Sequence, residues 1–295
     1  ILILLKSIIG KFKDYINCEN PFSTSEAYIL SDILQDNSKS KNIFKFINTG
    51  TIDPYISLWG IKTTTYLKNK YDYPIIPKNI FEEYFPKRLK QAQNRKLIIT
   101  GMRYLECFYD MRGEYIAGKS TLIIKDIKGD YFQFFCGLLN SKLISFYVKQ
   151  SYSTLGIDGG VNFTKDIIEE IPLPTISIKD IKKFCHIVNY IIYLKSTELK
   201  NIDEQIIPTF FKQIIDGMVY ELYFPELLKK HNREIIKHLG ELPEFTDGMS
   251  DEQKMKICKT VFDRLNDKEH PVRVNLFYMN SIPEIAIIEG KNENN

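Results

Sequence analysis

The segment with the most recognisable chemistry is a Gly-Lys-Ser motif. Gly113–Ser120 reads Gly-Glu-Tyr-Ile-Ala-Gly-Lys-Ser, which matches the G-x4-G-K-S pattern of nucleotide-binding phosphate loops. Such a loop needs a helix directly after it, because the helix N-terminus holds the phosphates. Thr121–Lys125 is instead apolar and β-branched, which predicts a strand. We therefore predict a tight turn at Gly118 that places Lys119 and Ser120 where they can meet a phosphate.

Basic and amide side chains cluster around a second predicted strand, Leu97–Thr100. Arginine can bond guanine in the major groove with both arms of its guanidinium, and lysine or arginine on phosphates fixes the register of a protein on a duplex. A glycine-rich turn, Leu155–Gly160, would let backbone approach a partner closely. The residues that we predict to contact DNA are Arg95, Lys96, Arg103, Lys119, Ser120, Lys149, Gln150, Asn162 and Lys165.

Cysteine and histidine spacing argues against a metal site or a disulfide framework. The five cysteines are scattered without a Cys-x-x-Cys motif, and their odd number favours reduced thiols. His231 and His238 share one face of a predicted helix, which is typical of a solvated surface. No window offers roughly 18 uncharged apolar residues. We expect a cytoplasmic protein without a membrane partner and, because the chain opens on Ile1, further sequence upstream.

Charge is distributed unevenly along the chain. Residues 1–200 carry 28 Lys and Arg against 20 Asp and Glu, whereas residues 201–295 carry 12 against 17. The excess of basic residues is densest over Pro86–Lys128, with ten basic against four acidic residues. A local positive field of this kind attracts phosphate backbones.

The pattern of apolar residues predicts an α/β (α+β) domain with short, mostly antiparallel strands, followed by a helical brace. We predict an N-terminal helix over Ile1–Ile16, one helix over Tyr131–Gln150, and helices over much of the chain after Pro174. Residues 271–289 fit either strands or a packed tail. The predicted domains are 1–41, an N-terminal helical segment; 42–175, a DNA target-recognition domain; 176–240, the helical brace; and 241–295, a small C-terminal element.

Several short motifs resemble the C-terminal specificity region of TaqI-like and type IIG adenine-specific DNA methyltransferases and restriction-modification enzymes. The Asn-Ser-Lys-Leu and Ile-Pro-Leu-Pro strings are the most specific of them. The matching pieces are Phe46–Tyr55, Trp59-Gly60, Gly118–Ser120, Asn140–Leu143, Ile171–Pro174, Ile215-Asp216 and Val219–Tyr223.

The resemblance implies a bacterial-defence protein that binds double-stranded DNA, while a catalytic methyltransferase domain of the parent chain modifies adenine N6. The family's Asn/Asp/Ser-Pro-Pro-aromatic motif is not found in this sequence, because Asn20-Pro21-Phe22 and Asp53-Pro54-Tyr55 lack the second proline. We therefore expect no catalytic residue and no cofactor in this chain, and S-adenosylmethionine in the missing catalytic domain.

Two alternatives remain open from the sequence. The first is a P-loop nucleotide-binding enzyme that uses Lys119, which predicts a helix over Thr121–Lys125. The second is a protein-interaction module, for which the 18 tyrosines would supply surfaces that are both apolar and able to hydrogen-bond. It predicts no salt-dependent affinity for DNA.

Overall fold

The structure is a computed structural model that describes residues 1–37, 39, 41–152, 161–197 and 202–291. It divides into two compact units. The sheet unit comprises Lys11–Phe132 and Ser151–Ile171, and the helical unit comprises Ile1–Gly10, Gln133–Gln150 and Pro172–Asn295.

Short strands and helices of varied length follow one another along the chain. The strands are β1 Ile16–Glu19, β2 Gln35–Asp36, β3 Ile43–Ile47, β4 Ile52–Asp53, β5 Ile56–Ser57, β6 Thr64–Tyr66, β7 Asn69–Tyr71, β8 Pro74–Pro77, β9 Lys96–Thr100, β10 Met102–Arg103, β11 Cys107–Asp110, β12 Tyr115–Ala117, β13 Thr121–Ile127 and β14 Val161–Asn162. The helices are α1 Leu2–Lys6, α2 Thr24–Ile33, α3 Lys78–Tyr84, α4 Leu89–Gln93, α5 Phe132–Leu139, α6 Lys142–Tyr152, α7 Lys165–Glu169, α8 Ile178–Ser196, α9 Ile202–Tyr223, α10 Pro225–Lys230, α11 Asp251–Leu265, α12 Pro271–Met279 and α13 Pro283–Ile288.

The sheet unit is built on two four-stranded sheets. The first has the order β1-β13-β9-β11 and is antiparallel throughout. The second has the order β12-β3-β8-β2, in which only the β12–β3 pair is parallel. Three two-stranded ribbons, β4–β5, β6–β7 and β10–β14, complete the pairing among the described residues. This mixture of helices and short, mostly antiparallel strands confirms the predicted fold class.

Two apolar clusters hold the sheet unit together. The larger packs aromatic side chains of the second sheet, such as Phe44 and Phe46, against Phe81 of α3. The smaller contains Ile47 of β3 and Ile98 of β9, so it joins the two sheets. Burial of such side chains is the main stabilising contribution in a unit of this size.

Helices α8 and α9 form the centre of the helical unit. Tyr190 and Phe211 meet there with ring centroids 5.5 Å apart. Pro208 lies within α9, which continues through it rather than splitting. Ser250 caps α11 by accepting from Gln253 N–H at 3.2 Å.

The structure corrects three predicted elements. The N-terminal helix ends at Lys6 and not at Ile16, because a short 3₁₀ turn and strand β1 follow. The single helix predicted over 131–150 is two helices, since the Ser141 hydroxyl bonds the Leu138 carbonyl at 2.6 Å and interrupts the helical ladder. The ambiguous segment 271–289 forms the helices α12 and α13. Across the described ranges, no helix is long and apolar enough to cross a membrane.

Candidate nucleic-acid interface

Three turns and one short strand of the sheet unit meet at the C-terminal end of β9. We call this group the loop cluster, and it consists of Asn48–Thr51, Gly101–Tyr104, Gly118–Ser120 and β14. Each turn lies in a different part of the sequence, so the sheets are what bring them together.

Thr49 lies at the centre of the loop cluster. Its hydroxyl accepts from Gly101 N–H at 3.3 Å and donates to the Ser120 carbonyl. The Ser120 hydroxyl donates in turn to the side-chain oxygen of Asn48. A Cβ on Gly101 would lie 2.1 Å from the Ser120 carbonyl oxygen, so the close approach of these turns requires glycine. The predicted tight turn before β13 is therefore one component of a larger network.

Arg103 occupies the tip of the turn that follows β9. The Tyr104 N–H bonds the Met102 carbonyl at 3.0 Å, and Arg103 between them has a φ of 69°, which is uncommon for a residue with a Cβ. The Thr100 hydroxyl holds this conformation by donating to the Tyr104 carbonyl and accepting from Glu106 N–H at 3.0 Å. Backbone strain of this kind persists only where surrounding contacts impose it, and it is concentrated at binding sites.

The side chains at this tip are open to solvent. Tyr104 is 75% exposed and Met102 39% exposed. Arg103 is also exposed, and no carboxylate of the described residues pairs with it. An unpaired guanidinium beside an aromatic and a flexible apolar side chain can bond a base edge or phosphate while its neighbours pack on sugars or bases.

Strand β14 brings two further predicted residues to the loop cluster. It pairs antiparallel with β10, so Asn162 faces Met102 and Val161 faces Arg103. The Asn162 side chain is exposed, and Lys165, also exposed, begins α7 just beyond it. The predicted glycine-rich turn over 155–160 lies outside the described residues.

Lys119 and Ser120 occupy the third turn of the loop cluster. Lys119 is exposed, and its ammonium donates to the Thr24 hydroxyl at 2.6 Å. The partly buried Ser120 is committed to its bonds with Asn48 and Thr49. Thus Lys119 remains accessible to a phosphate, whereas Ser120 holds the turn.

The P-loop alternative is wrong because β13, not a helix, follows the Gly-Lys-Ser motif. β13 lies between β1 and β9, antiparallel to both. Thr121 bonds back to the Gly118 carbonyl through its hydroxyl at 2.7 Å. The backbone after Lys119 therefore offers no helix N-terminus to a phosphate chain.

Lys96 must be removed from the predicted DNA contacts. Its side chain is 1% exposed, and its ammonium lies 2.7 Å from Asp110 and 2.7 Å from the Ala92 carbonyl. Asp110 also accepts from the backbone N–H groups of Glu114 and Tyr115 at 3.0 and 3.1 Å. Burial lowers the pKa of Lys96, and the Asp110 carboxylate opposes that shift. The pair is an internal tie between β9 and the β11–β12 turn.

Arg95 lies at the opposite end of β9 from Arg103. The five residues of β9 separate the two ends by about 13 Å at the usual strand rise. Arg95 is paired with Asp130 at 2.8 Å and lies over the Phe132 ring at 5.3 Å. It lines a depression of about 630 Å³ together with other cations, including Lys125, which pairs with Glu19 at 3.1 Å. The charges here are largely compensated, unlike that of Arg103.

Lys149 and Gln150 belong to the helical unit. Both side chains are exposed on the last turns of α6, and Lys149 lies near the negative end of the helix dipole. The structure thus distributes the predicted residues over three places: the loop cluster with neighbouring Lys165, the Arg95 end of β9, and α6.

Sequence reasoning missed the residues that organise the loop cluster. Asn48 and Thr49 were not among the predicted DNA contacts, although the short polar side chains in Asn-Thr-Gly-Thr are of the type that bonds neighbouring backbone. Tyr104 was not singled out, and its position directly after an arginine in a polar turn was the available signal.

Comparison with known proteins identifies a family for the domain that contains the loop cluster. Residues 40–173 match the family model of the TaqI-like C-terminal specificity domain, which confirms the resemblance predicted from the sequence. The match contains most of the sheet unit and all parts of the loop cluster. It supports a DNA-recognition specificity module of the TaqI-like methyltransferase family. No curated protein matches the chain significantly.

Proposed function

We propose that this chain selects the DNA sequence modified by an adenine-N6 methyltransferase of a restriction-modification system, and that the loop cluster is its DNA-reading surface. The observation that carries the proposal is Arg103, an exposed guanidinium with no carboxylate partner among the described residues, held at the tip of a strained turn inside a TaqI-like specificity domain.

In this proposal the side chains at the loop cluster make different kinds of contact with DNA. Arg103 reads a base edge, and Asn162, which faces Met102 across the β10–β14 ladder, supplies an amide that can pair with adenine. Lys119 and Lys165 bind phosphates and fix the register. Met102 and Tyr104 exclude water around the arginine and pack on the DNA.

The methyl transfer itself is assigned to a catalytic domain of the parent protein, which would bind S-adenosylmethionine. This chain and the catalytic domain would then bind the same duplex, with the target adenine at a fixed position in it. The sequence selected by this chain from a random library should contain the adenine that the full-length parent methylates, as mapped by modification-sensitive sequencing.

The decisive experiment compares Arg103→Ala with Arg112→Ala in binding to duplex DNA by fluorescence anisotropy. Arg112 is a matched control, because it is an exposed arginine of the same unit. It follows Asp110, which pairs with Lys96 at the other end of β9. Removing a base contact costs about 1–3 kcal/mol, so Arg103→Ala should weaken binding to the selected site about 5- to 150-fold. Arg112→Ala should leave it unchanged.

Salt dependence separates DNA reading from a protein-interaction module. Binding should fall steeply between low and physiological salt, because phosphate contacts release counterions. Lys119→Gln should weaken binding to all sequences alike and reduce the salt slope by about one. A chain that binds no duplex at low salt, alone or in the full-length parent, would refute the proposed function.

A further inference from the structure

The β6–β7 hairpin has a tip that is unusual for its sequence. Tyr66 pairs with Asn69, which leaves Leu67 and Lys68 as a two-residue loop. Their φ angles are 42° and 76°, so both lie in the left-handed region that this turn type reserves for Asn and Gly. A leucine and a lysine are unfavourable there, since each has a Cβ that crowds its own backbone.

The residue directly before the tip, Tyr66, is fixed firmly despite this strain. Tyr66 is buried in the larger apolar cluster, with its ring 4.8 Å from Phe46 and its hydroxyl bonded to the Ala27 carbonyl at 3.1 Å. Burial raises the pKa of Tyr66 to about 12, as expected for a phenol inside a core. The strained tip is thus held by the buried Tyr66 beside it and does not depend on favourable tip residues.

The outer face and tip of the hairpin are basic. Lys62, Lys68 and Lys70 are all exposed, and none has a carboxylate partner among the described residues. The nearby carboxylate of Asp72 accepts from the Thr63 hydroxyl at 2.7 Å. Leu67 is 42% exposed between these lysines, an apolar side chain with no core to fill.

The hairpin is tied to the loop cluster through Asn48. The amide oxygen of Asn48 accepts from Ser120, while its amide nitrogen donates to the Thr65 carbonyl at 3.4 Å. Thr65 is two residues from the tip, about 7 Å along a strand. A duplex docked on the loop cluster would therefore be within reach of the hairpin.

We propose that the β6–β7 hairpin is a second DNA-contacting element, whose lysines bind phosphates while Leu67 packs against bases in a groove. The inference rests on the proposed function of the loop cluster. A two-stranded ribbon fits the major groove of B-DNA, and apolar side chains commonly contact base surfaces. The conformational strain at the tip is then the consequence of placing a contact residue where the backbone prefers glycine.

A double variant, Leu67→Asn with Lys68→Gly, tests this inference without risking the fold. Asn-Gly suits the turn, so the variant should melt about 2–4 °C higher for each kcal/mol of strain relieved. Its affinity for random-sequence duplex should nevertheless fall at least about 5-fold, with a salt slope lower by about one for the lost lysine. Greater stability with weaker binding is an outcome that a purely structural hairpin would not give.

Two single variants provide the comparison. Lys70→Gln should lower the salt slope by about one, whereas Lys90→Gln, at an exposed lysine of α4 at the other end of β9, should not. Unchanged affinity and slope in both hairpin variants, while Arg103→Ala still weakens binding, would overturn the hairpin inference alone. Absence of DNA binding by the unmodified chain would overturn both proposals.

Discussion

The buried pair Lys96–Asp110 allows the sharpest test of how the sheet unit is held together. We predict that Asp110→Asn destabilises the unit strongly, because the substitution keeps the shape of the side chain but removes its charge. The Lys96 ammonium would then remain 1% exposed with only the carbonyls of Ala92 and Asn94, at 2.7 and 3.2 Å, as strong acceptors.

The magnitude follows from the cost of an uncompensated buried charge. Removing one partner of a buried ion pair typically costs about 3–5 kcal/mol. An asparagine oxygen can still accept from the backbone N–H of Glu114 or Tyr115, so we expect the lower end, about 3 kcal/mol. Replacing both charges, with Lys96→Met in the same chain, should recover much of the loss, since a buried pair often contributes little beyond an apolar replacement.

Urea unfolding can be followed at the single tryptophan. Trp59 belongs to the sheet unit, where its indole N–H bonds the Pro74 carbonyl at 2.7 Å. A loss of about 3 kcal/mol should lower the midpoint by roughly 1–2 M for an m-value near 2 kcal/mol/M. The control is Glu114→Gln, which removes the partly exposed Lys45–Glu114 pair at 3.7 Å and should cost under about 0.5 kcal/mol.

The pH dependence has a definite sign. The folded-state pKa of Lys96 is already lowered by burial, and without the Asp110 carboxylate it falls further. Between that value and the ordinary lysine pKa, the unfolded state binds more protons, so stability rises with pH. The loss in free energy of unfolding caused by Asp110→Asn, relative to the unmodified chain, should therefore become smaller from pH 7 toward pH 10. A cost below about 1 kcal/mol, or a deficit independent of pH, would refute the reasoning.

Two further outcomes concern other packed sites. Gly101→Ala should destabilise the sheet unit by about 2 kcal/mol or more and weaken DNA binding, because its Cβ would lie 2.1 Å from the Ser120 carbonyl oxygen. Gly50→Ala, with open space around it, should leave the stability unchanged. Asp216, which accepts from Lys142 N–H at 2.9 Å, has a pKa raised to about 7 by burial. The folded state then binds more protons between pH 4 and 7, so stability should fall as pH rises through that window, and Asp216→Asn should abolish the fall in a melting series.

Signals confined to a few neighbouring residues were enough to predict much of the local structure. Ser23 and Glu26 have the three-residue spacing of a capping box, and they form one at the start of α2, with reciprocal bonds at 3.3 and 2.7 Å. The strand over Thr121–Lys125 was predicted because β-branched residues follow a glycine, and it was sufficient to reject a P-loop that matched letter for letter. Each of these features depends on contacts within one element or at its end.

Features set by strand register escaped prediction. Lys96 resembled a surface base beside Arg95, and its partner Asp110 becomes visible only when β9 and β11 pair so that the two residues face each other. The length of β9 separates Arg95 from Arg103, although they are close in sequence and were predicted as one group. Conversely, Arg103 and Asn162 are distant in sequence, and the β10–β14 ladder brings their backbones together by pairing Arg103 with Val161 and Asn162 with Met102. Chain proximity was therefore a poor guide to which candidates share a surface.

The loop cluster separates the side chains that hold it from those that could read DNA. The hydroxyl of Thr49 bonds the backbone of Ser120 and Gly101, and Gly101 fits against Ser120 only because it has no side chain. Replacing any of these three residues would therefore move the backbone. Arg103 and Asn162 direct their side chains to solvent from backbone that the cluster fixes independently. Exchanges at these outward positions should therefore alter the preferred DNA sequence with little change in melting temperature, whereas inward exchanges should weaken binding to every sequence as the turns lose their geometry. A specificity domain with this construction can acquire new target sequences without redesign of its fold.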